Sequence, residues 1–333
     1  RANKTKMSDI ARLAGVSEST VSRALSNSPL INLKTRERIQ QLAREHHYAI
    51  NRQAQNLRLQ TSKTILVVIP VDHSPRQQIS DPFFMELLGA IADGLMDAGF
   101  ELLLSRVHKD DWQSCVASHN YATGLIIIGQ SLIHDSINEF AVHNPLPCVV
   151  WGGQLPNQQY ISVGCDNRAG GYLATEHLFT QGRQTIVFLG NPDIPEVGLR
   201  YEGYLEAHAS AGKTADSARL VPCEFDRQNA NQAVIVLINS DIDFDAIFAA
   251  SDVIAQEATR QLEAHGLLVP KQVAVVGFDD VMLSRHMSPA LTTVSQSIYD
   301  TGQHLVANLL RQMQGQRVHS ESHPPQLVIR AST

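Results

Sequence analysis

Apolar residues follow two different spacings along the chain. Near the start, Met7, Ile10, Ala11, Leu13 and Ala14 recur at helical intervals. This predicts a helix that stops at Gly15, a residue that readily takes a left-handed backbone. Ser17 is a good N-cap for a second helix over Glu18 to Leu25. Ala11, Gly15 and Val21 fall at the small, turn and apolar positions of a helix-turn-helix. Ala11 must be small because the second helix crosses close to it at a steep angle. An ordinary helical hairpin would show the same periodicity. Asn32 can cap a third helix that buries Ile39, Leu42 and Ala43, and Tyr48 and Ile50 close the unit. Residues 51–59 are helix-forming but poor in apolar side chains, so a helix there would be marginal alone. Residues 60–64 read as a linker.

From Lys63 the pattern changes. Short apolar runs at Thr64 to Ile69, Glu101 to Leu104, Gly124 to Ile128 and Cys148 to Trp151 alternate with helical spacings, the clearest through Phe84, Leu87, Leu88, Ile91 and Leu95. Such alternation predicts a parallel sheet with helices on both faces. The pattern then restarts. Residues 63–70 (K-T-I-L-V-V-I-P) resemble 184–192 (Q-T-I-V-F-L-G-N-P), and further strands are expected at Ala246 to Ala250 and Val273 to Gly277. Two similar lobes would face each other across a cleft walled by the loops at the strands' carboxyl ends.

Charge separates the two regimes. The whole chain of 333 residues carries −6, but residues 1–62 carry +7 and the remainder −13. A basic head on an acidic body suggests nucleic-acid binding at one end, although a solvated charged face would look the same. With 43% hydrophobic and 18% charged residues the composition is globular. No apolar run approaches the roughly 20 residues of a membrane span. No basic stretch followed by an apolar segment opens the chain, so a cytoplasmic protein is expected. Four separated cysteines read as reduced thiols.

The loops at the expected strand ends hold Asp81-Pro82-Phe83-Phe84, Arg200, Phe225-Asp226, Ser251, Asp279-Asp280 and Gln296. Planar polar groups and rings suit a sugar, whose hydroxyl pairs take bidentate hydrogen bonds and whose apolar face stacks on aromatics. Each polar residue alone also fits a cap or turn. No G-x-G-x-x-G after a strand, P-loop, G-x-S-x-G elbow or H-E-x-x-H occurs, so neither catalytic residues nor metal ligands nor a cofactor are expected.

The run M-S-D-I-A-R-L-A-G-V-S-E-S-T-V-S-R-A-L at Met7 to Leu25 resembles the N-terminal signature of the lactose-repressor (LacI/GalR) family. K-T-R-E-R-I (34–39), N-R-Q-A-Q-N-L-R (51–58), D-N-R-A-G-G (166–171), E-H-L (176–178) and V-G-F-D-D (276–280) continue the likeness over essentially the whole chain. Lys6 stands where the family commonly has a Thr or Ser cap.

The resemblance implies an all-α helix-turn-helix headpiece (1–50) and a hinge helix with linker (51–62). A periplasmic-binding-protein-like α/β core of two doubly wound parallel-sheet lobes follows (63–333), with lobe one about 63–164 and 296–322 and lobe two about 165–295 and 323–333. It implies that the second helix enters the major groove, with Glu18, Ser19 and Arg23 at base edges. Glu18 alone is also a favourable charge on a helix N-terminus. Ser17, Thr20, Ser22, Asn32 and Tyr48 would contact the DNA backbone. Asn51, Ala54, Leu57 and Arg58 would lie in the minor groove, Leu57 as a kinking wedge. Ligand positions carried over are Phe84, Arg200, Phe225, Ser251, Asp279 and Gln296, with Asp81, Phe83 and Trp151 beside them. Many sugar-responsive members have Asn at the position of Ser251 and Asp at that of Gly152. The turn Trp151-Gly152-Gly153 would then offer a stacking surface and extra room for a bulkier or glycosidic ligand. The expected function is a homodimeric repressor of sugar-utilisation genes that binds a pseudo-palindromic operator and is controlled by a small sugar or glycoside. The alternative is a solute-binding protein of a sugar transporter.

Overall fold

The structure, a computed structural model, describes residues 5–46, 48, 62–71, 78–130 and 133–333. The chain divides into two compact units, 1–62 and 63–333. Asn51, Ala54, Leu57 and Arg58 lie outside the described residues.

In the first unit, three helices surround one small core. α1 (Met7–Ala14) starts after Lys6, whose backbone N–H donates to the Asp9 carboxylate at 2.9 Å. Asp9 thus replaces the missing hydroxyl cap with half of a capping box. Gly15 ends the helix at φ +66°, the left-handed conformation that its position demands. α2 (Glu18–Leu25) is capped by Ser17, and α3 (Leu33–Glu45) by Asn32, whose side-chain oxygen accepts from the Thr35 N–H at 2.8 Å. Ile10, Ala11, Ala14, Val21, Ala24 and Ile39 form the core, with Leu42 and Tyr48 packed half-buried against it.

The second unit runs β1 (Thr64–Val71), α4 (Pro82–Asp97), β2 (Glu101–His108), α5 (Trp112–Ser118), β3 (Gly124–Ile128), α6 (His134–His143), β4 (Cys148–Trp151) and β5 (Ile161–Cys165). It continues through α7 (Asn167–Thr180), β6 (Ile186–Leu189), α8 (Pro195–Ser210), β7 (Leu220–Val221), α9 (Arg227–Ile238), β8 (Ala246–Ala249), α10 (Asp252–Ala264) and β9 (Ala274–Asp279). β10 (Thr292–Ser295), α11 (Ile298–Met313), β11 (Glu321–His323) and β12 (Gln326–Val328) complete it. Two six-stranded sheets result, ordered β11-β5-β4-β3-β1-β2 and β12-β10-β9-β8-β6-β7. All pairings are parallel except β10 with β12. The chain crosses between the lobes after β5, after β10 and after β11.

Strand β1 shows why its apolar run is unbroken. Ile65, Val67 and Ile69 face one core with Leu87, Ile91 and Leu95 of α4 and Leu305 and Leu309 of α11. Leu66 and Val68 face another, with Trp112 of α5 and Ile137 and Phe140 of α6. A central parallel strand is buried on both faces, so alternation disappears. Edge strand β2 pairs with β1 through His108, beyond its apolar start, because one of its faces can stay polar.

In lobe two, α7 and α8 pack very closely. A Cβ on Gly171 would lie 2.0 Å from the Arg200 carbonyl oxygen, and one on Gly203 2.0 Å from that of Arg168. Glycine at both positions lets α8 approach α7 and so sets where Arg200 sits. Among the described residues no helix is long and apolar enough to cross a membrane.

Candidate functional site

The first unit presents one polar face of α2. Glu18, Ser19 and Arg23 are exposed, away from buried Val21 and Ala24. The Ser17 hydroxyl accepts from the Thr20 N–H at 3.2 Å and lies 2.8 Å from the Ser19 hydroxyl and 2.9 Å from that of Thr20. Ser17 and Asn32 are exposed caps, while Thr20, Ser22 and Tyr48 are half-buried. Burial, then the charge of Glu18, raises the Tyr48 phenol pKa.

The second unit holds a cleft of about 440 Å³, within the usual range for a small-molecule site. Its walls are the carboxyl ends of strands from both sheets, where parallel sheets bind ligands. Asp81, Phe83, Phe84, Trp151, Arg200, Phe225, Ser251, Asp279 and Gln296 all line it. Several also hold local structure. Asp81 caps α4 through the Phe83 N–H at 2.9 Å, and Ser251 caps α10 through the Ile254 N–H at 3.3 Å. Phe84 is 8% exposed and belongs to the lobe-one core, so Phe83 presents the more open ring. Phe83 meets Trp151 edge-on, with ring centroids 5.7 Å apart.

Arg200, Asp279 and Gln296 are different: none caps a helix. Arg200 is buried with its guanidinium 3.7 Å above the Phe278 ring. Its Nε donates to the Asn167 side-chain oxygen at 2.8 Å, and its Nη1 donates to the Ala250 carbonyl. These contacts fix the plane of the fork while it lines the cleft. Gln296 Nε2 donates to Asp279 Oδ1 at 2.6 Å. Asp279 has φ +122°, Asp280 +56° and Ser297 +47°. Such backbone costs about 1–3 kcal/mol at a non-glycine residue and collects where a site needs a set geometry. Asp280 turns away and pairs with Arg330 Nη2 at 2.5 Å, so the two adjacent acids serve different partners.

Burial dominates the electrostatics. It holds the Asp279 carboxyl well above the ordinary carboxylate range, against the opposing pull of Arg200. It also raises Asp81 and Glu196, and it lowers Arg200, opposed first by Asp279. Cys165 on the wall is pushed up to about 12 by burial, so it is a neutral thiol. Behind the cleft, Asp252 accepts from the Val281 N–H at 3.0 Å and from the Ser284 and Thr293 hydroxyls. It ties α10 to the segment after β9 and to β10.

Four polar groups here were not singled out from the sequence. Asn167 orients Arg200, Glu196 lines the wall from the first turn of α8, and Asn191 Nδ2 donates to Glu224 Oε1 at 2.8 Å. Asn191 and Glu224 follow strands β6 and β7, so proximity to a strand's carboxyl end was their only signal. One expectation is corrected. Gly152 opens no extra room, because a Cβ there would meet the Gln130 side chain at 2.5 Å. Buried Gln130 fills that space, donating to the Gly153 carbonyl at 2.8 Å and accepting from the Tyr160 hydroxyl at 3.1 Å.

Residues 6–51 match the family of bacterial regulatory proteins, lacI family, and residues 175–333 match the periplasmic binding protein-like domain. The chain is similar to the HTH-type transcriptional repressor CytR of Escherichia coli (strain K12), 31% identical over 98% of this chain and 96% of that protein. A lac repressor dimer bound to operator and the anti-inducer ONPF has a TM-score of 0.81 and 27% identity, covering 99% of both chains. The transcriptional regulator CelR in complex with cellobiose has a TM-score of 0.72 and 26% identity, covering 99% of this chain and 100% of that one. A match to a regulatory family through the head sets aside the transporter reading. The three-helix head, the two-lobed core and these likenesses together place the chain in the lacI family of bacterial regulatory proteins, as a DNA-binding transcriptional regulator.

Proposed function

We propose that the chain is a repressor of sugar-utilisation genes, and that a small sugar or glycoside in the cleft controls its operator affinity. The observation that carries the effector half is the rigid trio Arg200, Asp279 and Gln296 on the cleft wall, with Phe83, Trp151 and Phe225 around it. A fixed guanidinium and a carboxylate–amide pair match vicinal hydroxyls, and the rings match a sugar's apolar face. The cellobiose bound by CelR supports this reading.

In the DNA half, Glu18, Ser19 and Arg23 read base edges while Ser17, Thr20, Ser22, Asn32 and Tyr48 set the register on the phosphates. Asn51, Ala54, Leu57 and Arg58 enter the minor groove. Two chains pair through their cores, as the dimeric lac repressor supports, and present two heads to a pseudo-palindrome. The effector prefers one arrangement of the lobes, and that preference sets its effect on DNA.

A thermal-shift panel of mono- and disaccharides, followed by titration calorimetry of any hit, tests the effector. A sugar should stabilise the parent chain, and Asp279→Ala, still folded, should lose the response. Unchanged affinity in Asp279→Ala would remove the trio from the site.

A further inference from the structure

On lobe one, beside the wall strand β5, a helix and an edge strand bring three metal-ligating side chains together. His304 and Asn308 share one face of α11, being four residues apart. Glu321 and His323 share one face of β11, being two apart. His304 Nδ1 lies 3.1 Å from Glu321 Oε2, and His323 Nε2 lies 3.3 Å from the same oxygen. The three ligand atoms all fall within 4.8 Å of one another. Glu321 Oε1 accepts from Asn308 Nδ2 at 2.8 Å, which turns Oε2 toward both rings.

We propose that His304, Glu321 and His323 bind a divalent transition-metal ion of the zinc class. Two imidazoles and one carboxylate are the donor set that zinc, cobalt and nickel accept. In a tetrahedral shell with bonds of about 2.0–2.1 Å, ligand atoms stand roughly 3.3 Å apart. The separation from Oε2 to His323 Nε2 has that value, and the one to His304 Nδ1, a hydrogen bond when no ion is present, is 0.2 Å shorter. His323 Nε2 is buried and makes no hydrogen bond, although the carboxylate oxygen is near. A ring nitrogen placed there without a hydrogen bond suits a metal better than it suits an ion pair. Asn308 supplies the outer contact that orients the carboxylate, as outer-shell groups do at metal centres. Water completes the shell on the open side, where His304 is half exposed.

The site has a mechanical consequence. β11 is a three-residue edge strand paired with β5, and the chain leaves it through Pro324-Pro325 for lobe two. The His323 carbonyl also accepts from the Asp166 N–H at 2.9 Å, at the first crossing between the lobes. A bound ion would staple β11 to α11 at the point where two crossings meet. It would therefore stabilise lobe one next to the connections between the lobes.

The test uses the untagged full chain, stripped with a chelator and titrated with zinc chloride. The parent should take up one equivalent more than His304→Ala, and zinc should raise its melting temperature while leaving that of His304→Ala unchanged. His304 is exposed, so this variant should melt like the parent in chelator, which separates ligand loss from misfolding. Cobalt chloride should give the parent a visible absorption band that the variant lacks. Asn308→Ala should weaken zinc binding by about tenfold or more, as loss of an outer-shell partner does. The proposal is overturned if His304→Ala and His323→Ala bind zinc with the stoichiometry and affinity of the parent, or if the parent binds none.

Discussion

Arg200 joins the cleft to the fold. Its Nε, its Nη1 and one face of its guanidinium are all engaged by protein, so the side chain is held in place when the cleft is empty. A preformed fork loses little entropy on binding. Arg200→Lys would keep the charge but lose the plane, and should weaken sugar binding by about 1.5–3 kcal/mol, the worth of a charge-assisted hydrogen bond. Calorimetry on the parent and the variant would measure it, and equal affinities would count against the fork. Asp279 gives a pH signature. Burial raises its pKa above the ordinary carboxylate value. The free protein's stability from this group is present at low pH and lost as pH rises through the raised value. A sugar hydroxyl donates to the ionised carboxylate, so affinity should instead rise with pH through that window. Asp279→Asn should flatten both profiles; a parent affinity that fell as pH rose would contradict the assignment. Buried His208 shows the opposite shift, since burial lowers its pKa. Below its unfolded value of about 6.5, the unfolded chain takes up the proton first, so stability falls as pH drops from there through the lowered value. Denaturant unfolding should show less of that loss in His208→Gln.

At the scale of elements, close packing and capping hold the cleft walls. Gly171→Ala would drive a methyl into the Arg200 backbone carbonyl, and a backbone neighbour cannot turn aside. Overpacking of this kind costs about 1–3 kcal/mol. The melting temperature should fall, and sugar affinity with it, because α8 carries Arg200. A variant with normal stability would mean that α7 and α8 separate easily. Asp252→Ala would strand the Val281 N–H and two hydroxyls in the interior, and should cost at least as much. Most elements were legible from spacing. The caps Ser17 and Asn32, the stop at Gly15 and the apolar runs of β1, β3 and β4 stood where burial and backbone geometry require them. β5, β11 and β12 were not legible, because β5 and β11 are rich in polar or small side chains and β12 is only three residues long. Their pairing comes from neighbours distant in sequence, which no local period encodes. The same distance hid Gln130 behind Gly152 and the pair of Asn191 with Glu224. The metal-ligating trio was hidden likewise, since His304 and Glu321 are 17 positions apart and on different kinds of element.

At the scale of the molecule, charge and architecture divide the work. The +7 on residues 1–62 attracts phosphate, and the −13 on the remainder repels it, so DNA contact should concentrate on the head. Chain crossings after β5, β10 and β11 join the two lobes, and strands of both wall the cleft. Coupling of cleft to DNA needs only that the effector prefer one lobe arrangement and DNA another. The most direct measurement is a fluorescence-anisotropy titration of the full chain. The duplex is selected by the chain from a randomised pool, and the titration is run with and without the sugar found by thermal shift. Specific, salt-sensitive binding is expected, with an affinity that changes by roughly 5–150-fold with the sugar, a change that Asp279→Ala abolishes. Sugar bound in the cleft with operator affinity unmoved, or no duplex preferred over random sequence, would contradict it.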